Sequence, residues 1–246
     1  MESTQQTSKL TLYGDFVSQP FRAVLIFLKM NKILHELHLF KLMKGEHFNE
    51  EFTQISPQNK VPAIVDVLPN GETVKLFESH AIIKYLKSSR QCAAHWYPES
   101  DPKLKAKMDE YLDWHHLGVR GTAIKYLILR FRDLSNDQAQ LNGAMSEFKK
   151  SLKLIENYWL SSPEKQFLLG NEISIADLTA FCELAQLLPI KEDIFKDCPR
   201  IKAWLHRIMS IPEVKEVHQD IQVSQKRAYE RLDKQREQNA NNTPKL

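Results

Sequence analysis

The spacing of apolar residues over the first ninety positions switches between two periods, which predicts a domain of mixed strands and helices. The stretch SKLTLYGD alternates and ends at a glycine, a pattern typical of a short strand. Phe21, Val24, Leu25 and Leu28 follow at helical spacing and define one buried face. Pro20 falls in the first turn of that helix, where its missing N–H has no intrahelical acceptor. LHELHLFKL is a second candidate strand.

Two short apolar runs, VPAIVDV and TVKLFES, come next and flank the dipeptide Asn70-Gly71. This dipeptide between apolar runs predicts an antiparallel hairpin. The helical pattern SHAIIKYLKSS then closes the region. The predicted order is strand, helix, strand, an optional short helix, hairpin and helix.

Helical spacing dominates after residue 101. PKLKAKMDEYLDWHHLGVRGTAIKYLILRFRD predicts a long helix bent near Gly118 and Gly121, and NDQAQLNGAMSEFKKSLKLIENYWLSS predicts another. Ser174 stands three residues before Asp177, which is the spacing of a capping box at the start of a third helix. The predicted buried face of this third helix consists of Leu178, Phe181, Ala185 and Leu188.

These patterns divide the chain into parts of different character. We predict an α/β domain over residues 8–90, a linker over 91–101, where the composition changes, and an all-helical domain over 102–220. Residues 221–246 form a polar tail that we expect to be partly disordered.

The composition is that of a globular protein, with 42% hydrophobic and 26% charged residues. No apolar run reaches the roughly 18–20 residues of a membrane span, and the polar start MESTQQTSKL lacks the apolar core of a signal peptide. We therefore expect a cytoplasmic protein that does not insert into a membrane.

The charge is concentrated at one end of the chain. From residue 221 onward there are six basic and three acidic residues, and this excess equals the whole formal net charge of +3. The body of the protein is neutral, which argues against a nucleic-acid partner. The three cysteines lie far apart, with no CxxC, so we expect free thiols rather than disulfides or metal ligands.

Three short stretches are candidates for chemistry, and each has a purely structural alternative. Ser18 either caps the first helix or holds a reactive group. The Val61–Pro62 bond is either cis, leaving the backbone of Val61 free to pair with a ligand, or simply begins an edge strand. Glu78 and Ser79 precede a helix, where Ser79 is a good N-cap, but together they suit the ammonium and carboxylate of an amino-acid head group.

Two other kinds of site are disfavoured. His115 and His116, with Asp109 and Asp113, lie on one predicted helix, but adjacent histidines point to different faces and no HExxH occurs, so we expect no metal site. No glycine pattern has the spacing of a phosphate-binding loop.

Several motifs resemble, in order and spacing, those of theta-class glutathione transferases: DFVSQPFRAV, KGEH, NKVPAI, FESHAIIKYL, HWYP, DEYLDWH, VRGT and ISIADL. The resemblance covers the chain from Leu10 to Val217. It implies a thioredoxin-like, glutathione-binding N-terminal domain followed by an all-helical, substrate-binding C-terminal domain. It also implies a homodimer that conjugates glutathione, as co-substrate, to small hydrophobic electrophiles.

The resemblance further implies the roles of particular residues in the first domain. Ser18 is expected to hydrogen-bond the glutathione sulfur, with Gln19 beside it. A hydroxyl that donates to sulfur stabilises the thiolate, which is the nucleophilic form, as does a helix N-terminus. The residues expected to bind the rest of glutathione are His47 and Lys60 (glycine carboxylate), Val61 before a cis-Pro62 (cysteinyl backbone), and Glu78 and Ser79 (γ-glutamyl head).

Two residues of the helical region receive roles by the same resemblance. Arg120, in VRGT, is expected to face the second substrate and to neutralise an anionic leaving group, the alternative being an ion pair with Asp113 or another acid of the same helix. Asp109 matches an acid that reaches the glutathione of a neighbouring subunit. The polar tail differs from the theta pattern, in which a C-terminal segment folds over the site.

Other functions on the same fold stay open at this point. A non-enzymatic interaction protein or ligand carrier keeps Glu78 and Ser79 without activating the thiol. A peroxidase or dehalogenase shares every residue named above. A glutathione-dependent oxidoreductase is disfavoured, because that class generally has cysteine where Ser18 stands.

Overall fold

A computed structural model describes residues 9–131 and 137–242, with only the backbone of 235–242. The chain divides after Tyr97 into two compact units, the first ending at Tyr97 and the second beginning at Pro98. This point lies inside the predicted linker.

The first unit is built on a four-stranded mixed sheet with the order β2-β1-β3-β4. Its strands are β1 (Lys9–Gly14), β2 (Glu36–Leu39), β3 (Ala63–Val67) and β4 (Thr73–Phe77). β1 runs parallel to β2 and antiparallel to β3, which forms the predicted hairpin with β4. The strand predictions and the hairpin are confirmed.

The edge-strand alternative for Pro62 is wrong, because β3 lies inside the sheet between β1 and β4. Pro62 directly precedes Ala63, the first residue of β3, so its missing N–H removes no hydrogen bond from the ladder.

The helices of this unit are α1 (Gln19–Met30), α2 (Glu50–Thr53) and α3 (Ser79–Ser89). α1 is buried more completely than the single predicted face, since every residue from Phe21 to Leu28 is inaccessible to solvent. It packs against both α3 and β1. A second apolar cluster consists of Phe40, Phe52, Ile55 and Ala63.

The second unit is helical wherever it has regular structure in the described residues. It contains α4 (Pro102–His115), α5 (Gly121–Phe131), α6 (Gln138–Leu154), α7 (Ile175–Ala185), α8 (Pro199–Met209) and α9 (Pro212–Asn242). None of the helices in the described ranges combines the length and apolar character that crossing a membrane requires.

The predicted bend near Gly118 is a turn of π-helix, His116–Arg120, between α4 and α5. A Cβ at Gly118 would lie 2.1 Å from the ring of Trp114, so a larger residue here would displace that ring. The second π-helical turn, Ile155–Trp159, follows α6.

The capping box at the start of α7 is confirmed. Oδ2 of Asp177 accepts hydrogen bonds from the backbone N–H and the hydroxyl of Ser174, at 3.0 and 2.7 Å. Leu178, Phe181 and Ala185 are buried as predicted, but burial extends beyond that face, because all residues of α7 are buried. Leu188 lies beyond the end of the helix and is 42% exposed.

α9 runs without interruption through residue 221, so the described part of the predicted tail continues this helix. The ring of Tyr229 stacks on Phe131 with centroids 4.2 Å apart, and its hydroxyl donates to the carbonyl of Gln186 at 3.2 Å. Arg130 Nη1 lies 2.6 Å from Asp233 Oδ1. Residues 243–246 of the tail lie outside the described residues.

Candidate active site

The sheet register brings four chain segments to one end of the first unit. Gly14 pairs with Leu39, so β1 and β2 finish together, and Tyr13 pairs with Ala63 at the start of β3. Ala63 in turn pairs with Phe77 at the end of β4. The segments that continue from these strand ends carry the predicted glutathione-binding residues Ser18, Gln19, His47, Lys60, Val61, Pro62, Glu78 and Ser79.

Ser18 is the N-cap of α1, with φ −80° and ψ 119°. Its Oγ accepts a hydrogen bond from the backbone N–H of Phe21 at 3.4 Å. A hydroxyl has two acceptor lone pairs and one donor proton, and no described residue accepts the proton of Ser18. The side chain therefore caps the helix and still has a proton to donate at a helix N-terminus, where negative charge is stabilised.

A buried arginine, Arg22, stabilises the turn before Ser18, and the sequence patterns did not indicate this role. Arg22 is fully buried, and its Nη1 donates to the carbonyl of Phe16 at 2.6 Å. The apolar periodicity around it gave no signal of this role, because an arginine on a helix is usually exposed. Gln19 follows Ser18 as the first residue of α1 and is half-buried.

The Val61–Pro62 bond is cis. The residue before it, Lys60, is fixed through its backbone, since the Ser56 hydroxyl donates to the Lys60 carbonyl at 2.8 Å and accepts from its N–H at 3.2 Å. Ser56 is fully buried, whereas the Lys60 side chain is exposed. The backbone is thus held while the ammonium group stays available to a ligand.

Glu78 has φ 72°, a left-handed conformation that is uncommon for a residue with a side chain. Such a conformation costs about 1–3 kcal/mol and often occurs at functional sites. The prediction that Ser79 caps α3 was wrong. Glu78 holds the N-cap position without a side-chain capping bond, its carbonyl accepts the first helical hydrogen bond from Ile82, and Ser79 is the first helical residue.

The start of α3 is therefore open to an anion. Its first backbone N–H groups have no intrahelical partners, and the side chain of the N-cap residue Glu78 does not cap them. The exposed carboxylate of Glu78 lies beside them and suits a cation. A molecule that carries a carboxylate and an ammonium on the same carbon matches this pair.

His47 lies in the loop after β2 and is half-buried. Its Nδ1 is shielded from solvent without a hydrogen-bond partner among the described residues. A buried polar atom of this kind costs free energy unless it is paired, so the nitrogen fits a site that is completed by a bound molecule. The loop is closed by the N–H of Lys41, which donates to Glu46 Oε2 at 2.8 Å.

In the second unit, Arg120 forms an ion pair with Glu183. The predicted alternative, a partner on its own helix such as Asp113, was wrong, because Glu183 belongs to α7. Glu183 is only 1% exposed, and its Oε2 also accepts from Gln186 Nε2 at 3.1 Å. The positive charge of Arg120 is therefore already matched by a buried carboxylate.

Asp109 lies on α4 and pairs with Lys105 one turn earlier, with the Lys105 Nζ and Asp109 Oδ2 atoms 3.2 Å apart. The side chain is partly exposed and faces a cation of its own unit. Its expected role toward a neighbouring subunit stays a prediction.

The cysteines offer no activated nucleophile of their own. Burial raises the pKa of the Cys92 and Cys198 thiols above the ordinary value, which leaves them protonated at neutral pH. Cys182 is buried in α7. Among the described residues, no group of three or more histidine, cysteine, aspartate or glutamate side chains is arranged to hold a metal ion.

Comparisons with known families match both units. The family "Glutathione S-transferase, N-terminal domain" matches residues 8–88, and "Glutathione S-transferase, C-terminal domain" matches residues 108–212. These ranges fall in the first and the second unit, respectively.

Characterised relatives agree with these matches. Mouse glutathione S-transferase theta-1 is 37% identical over 204 residues, which are 81% of this chain and 82% of that protein. Glutathione S-transferase T1 of Arabidopsis thaliana is 37% identical over 223 residues, 86% of this chain and 88% of the relative. Glutathione S-transferase T2 of the same plant is 37% identical over 93% of this chain, which spans 39% of the T2 length.

Solved structures show the same likeness in three dimensions. Human glutathione transferase theta-2, in complex with glutathione and an unknown ligand, superposes with a TM-score of 0.78 at 33% identity, over 90% of this chain and 91% of that chain. The apo form of human glutathione-S-transferase T1-1 gives the same TM-score, identity and coverage.

Proposed function

The chain belongs to the glutathione S-transferase family and is similar to its theta class, and from this premise we propose that the Ser18 hydroxyl activates the thiol of glutathione bound at the end of the sheet in the first unit. The thioredoxin-like and all-helical architecture expected from the motifs is confirmed. Glutathione conjugation is the activity that the theta-class relatives support.

The proposal rests on the ability of the Ser18 hydroxyl to accept one hydrogen bond and donate another at the same time. One lone pair accepts the capping hydrogen bond from Phe21, and the proton is left to donate to sulfur. A hydrogen bond to a charged group contributes about 1.5–3 kcal/mol. If the Ser18 hydrogen bond forms with the thiolate and not with the thiol, this energy corresponds to a roughly tenfold to hundredfold increase in the ratio of thiolate to thiol.

The remaining residues are proposed to hold glutathione at its two ends and its middle. The exposed ammonium of Lys60 and the unpaired Nδ1 region of His47 suit the glycine carboxylate. The backbone of Val61 pairs with the cysteinyl residue. Glu78 binds the γ-glutamyl ammonium, while Ser79 and the open N-terminus of α3 bind its carboxylate.

The chemical step follows from the activated sulfur. The thiol loses its proton to solvent, and the thiolate electron pair attacks an electrophilic carbon of a small hydrophobic substrate. A carbon–sulfur bond forms as the bond to the leaving group breaks, and the leaving group departs with that electron pair. Because Glu183 already balances the charge of Arg120, we propose that Arg120 orients the second substrate as a hydrogen-bond donor more than as a free cation.

We further propose that the protein acts as a homodimer in the cytoplasm, in line with the sequence reading. Reduction of organic hydroperoxides and dehalogenation use the same thiolate. Assays with representative substrates distinguish these activities from conjugation.

Ultraviolet titration of bound glutathione tests the role of Ser18. Ser18→Gly removes the hydroxyl but, as glycine is a tolerated N-cap, costs only a few tenths of a kcal/mol in helix stability. We expect the bound thiol to have a pKa below its free value in the native protein and close to the free value in Ser18→Gly, with glutathione still bound.

Ser18→Thr is the matched control, because it keeps a hydroxyl at the cap. We expect it to retain most of the lowered pKa. Native protein that binds glutathione without lowering the thiol pKa contradicts the proposal and favours a ligand carrier.

A further inference from the structure

Asp15 connects two loops that lie far apart in the sequence. Its Oδ1 accepts a hydrogen bond from the N–H of Val17 at 3.1 Å, and its Oδ2 accepts one from the N–H of Leu42 at 3.0 Å. Its backbone carbonyl accepts from the N–H of Ser18 at 3.0 Å. One residue thus contacts both the turn that presents Ser18 and the start of the loop that carries His47.

We propose that Asp15 is a positioning residue, which sets the Ser18 hydroxyl and the His47 loop in a fixed relation to each other. Through this link, thiol activation and recognition of the glycine end of glutathione depend on the same carboxylate. The inference rests on the proposed function, since it assigns the sulfur to Ser18 and the glycine carboxylate to the His47 loop.

The two hydrogen bonds explain why the position requires a carboxylate. Both partners are backbone N–H donors, and only an acidic side chain offers two acceptor oxygens with no donor. Asparagine has nearly the same shape, but its NH₂ group would face one of the two N–H donors. Asp15→Asn therefore breaks one link and leaves a donor unpaired, while it hardly changes the volume of the side chain.

The surrounding contacts hold each loop separately. The Arg22 guanidinium fixes the carbonyl of Phe16 from inside the fold, and Glu46 closes the second loop onto the N–H of Lys41. Asp15 adds a bond between the two. Loss of that bond is expected to loosen their relative placement without unfolding either one.

Loss of the Asp15 charge and loss of its positioning bond shift the pKa of the bound thiol in opposite directions, which makes the inference testable. A negative charge near the thiolate disfavours ionisation, so an effect of charge alone lowers the pKa of the bound thiol when Asp15 is neutralised. An effect of position raises that pKa, because the Ser18 hydroxyl no longer meets the sulfur in the right geometry.

The experiment compares native protein with Asp15→Asn for two ligands, glutathione and γ-glutamylcysteine, which lacks only the glycine. Titration calorimetry gives the two dissociation constants, and ultraviolet titration gives the thiol pKa. We expect the native preference for glutathione over γ-glutamylcysteine to fall by about fivefold to tenfold in Asp15→Asn, the size expected for the loss of one typical intramolecular hydrogen bond. We also expect the pKa of the bound thiol to rise.

Asp101→Asn is the matched control. Asp101 lies at the start of α4 in the second unit, and its Oδ1 accepts both backbone N–H groups, from Lys103 and Leu104, so asparagine removes the charge and keeps both bonds. We expect this variant to keep the thermal stability, the ligand preference and the thiol pKa of the native protein.

The possible outcomes separate this inference from the proposal for Ser18. A thiol pKa that falls in Asp15→Asn overturns the positioning role, and so does an equal loss of affinity for both ligands, which indicates general loosening. An unchanged ligand preference also overturns it. If Ser18→Gly leaves the thiol pKa unchanged, the proposed activation fails by itself, and the ligand preference of Asp15→Asn still tests the link to the His47 loop.

Discussion

A serine at the start of a helix serves two functions here because its hydroxyl has separate donor and acceptor capacities. At Ser18 the acceptor side is used by the N–H of Phe21, and the donor side remains for a ligand. The helix N-terminus supports both uses, since its N–H groups need a capping acceptor and its partial positive charge stabilises an anion. A cap and an anion-stabilising group therefore favour the same position.

At the buried carboxylate of Asp177, in the second unit, burial and hydrogen bonding have opposite effects on the pKa. Asp177 accepts hydrogen bonds from both polar groups of Ser174, from the N–H of Leu168 and from Trp204 Nε1, the last two at 2.9 Å. Complete burial raises its pKa above the ordinary value of 3.8, while the hydrogen bonds oppose that rise.

We predict that Asp177→Asn lowers the free energy of unfolding by about 2–4 kcal/mol, because the new NH₂ group faces the donors of Ser174. The raised pKa means that the folded state binds a proton more readily than the unfolded state. Between pH 3.8 and the folded-state pKa, the native protein therefore loses stability as the pH rises.

Urea unfolding of both proteins across this pH range measures the effect. The difference in stability between native and variant is expected to widen as the pH falls. If the difference in stability between native protein and Asp177→Asn narrows as the pH falls, the hydrogen bonds to Asp177 affect its pKa more than its burial does.

At the scale of elements, α9 depends on tertiary contacts for its second half. Helices of polar composition gain little from burial, and most helical stability in proteins comes from packing. The first half is anchored by Val214, Val217 and His218, all of which are buried. The second half is anchored through Tyr229 and Asp233.

Removal of the Tyr229 ring is predicted to release the second half of α9. In Tyr229→Ala we expect amide hydrogen exchange to become faster from residue 221 to 242, while residues 212–220 stay protected. Tyr229→Phe keeps the stack on Phe131 and loses only the hydroxyl bond, so we expect it to remain close to native.

Val223→Ala is a suitable control for this helix, because Val223 is 51% exposed. Equal exchange rates in Tyr229→Ala and Val223→Ala are incompatible with an anchoring role of the ring.

At the scale of the whole molecule, the assembly state is the property that decides how many sites act together. We predict a homodimer, so that sedimentation equilibrium gives twice the chain mass of 28.7 kDa at concentrations at which the enzyme is active. Ser18→Gly, whose change is confined to the glutathione site, is expected to give the same mass. A fully active species of single chain mass contradicts the dimer.

Local chemistry explains what could be predicted from the sequence. The hairpin depends on Asn70 and on Gly71, whose φ of 85° glycine adopts readily. The capping box depends on Ser174 and Asp177, three residues apart. The motif set as a whole indicated the family and the two-domain architecture, because the residues of each motif are close in sequence and their order is preserved.

Other features depend on residues that only the fold brings together. Arg120 pairs with Glu183, 63 positions later, and no periodicity on its own helix indicated this partner. Asp15 bonds to Leu42 across 27 positions. An Asp three residues before a serine could have signalled a local turn, but not the second loop.

The sequence by itself thus determined which strands and helices form, the caps of α1 and α7, and which family the chain joins, since these follow from interactions within a few residues of each other. Tertiary structure alone decided that Glu78 takes a left-handed conformation and replaces Ser79 as the cap of α3. It also decided the cis form of the Val61–Pro62 bond. The register of β3 against β1 and β4 places the Val61–Pro62 segment and Glu78 at the same end of the sheet. The left-handed conformation of Glu78 persists there because contacts with the surrounding fold hold it in place.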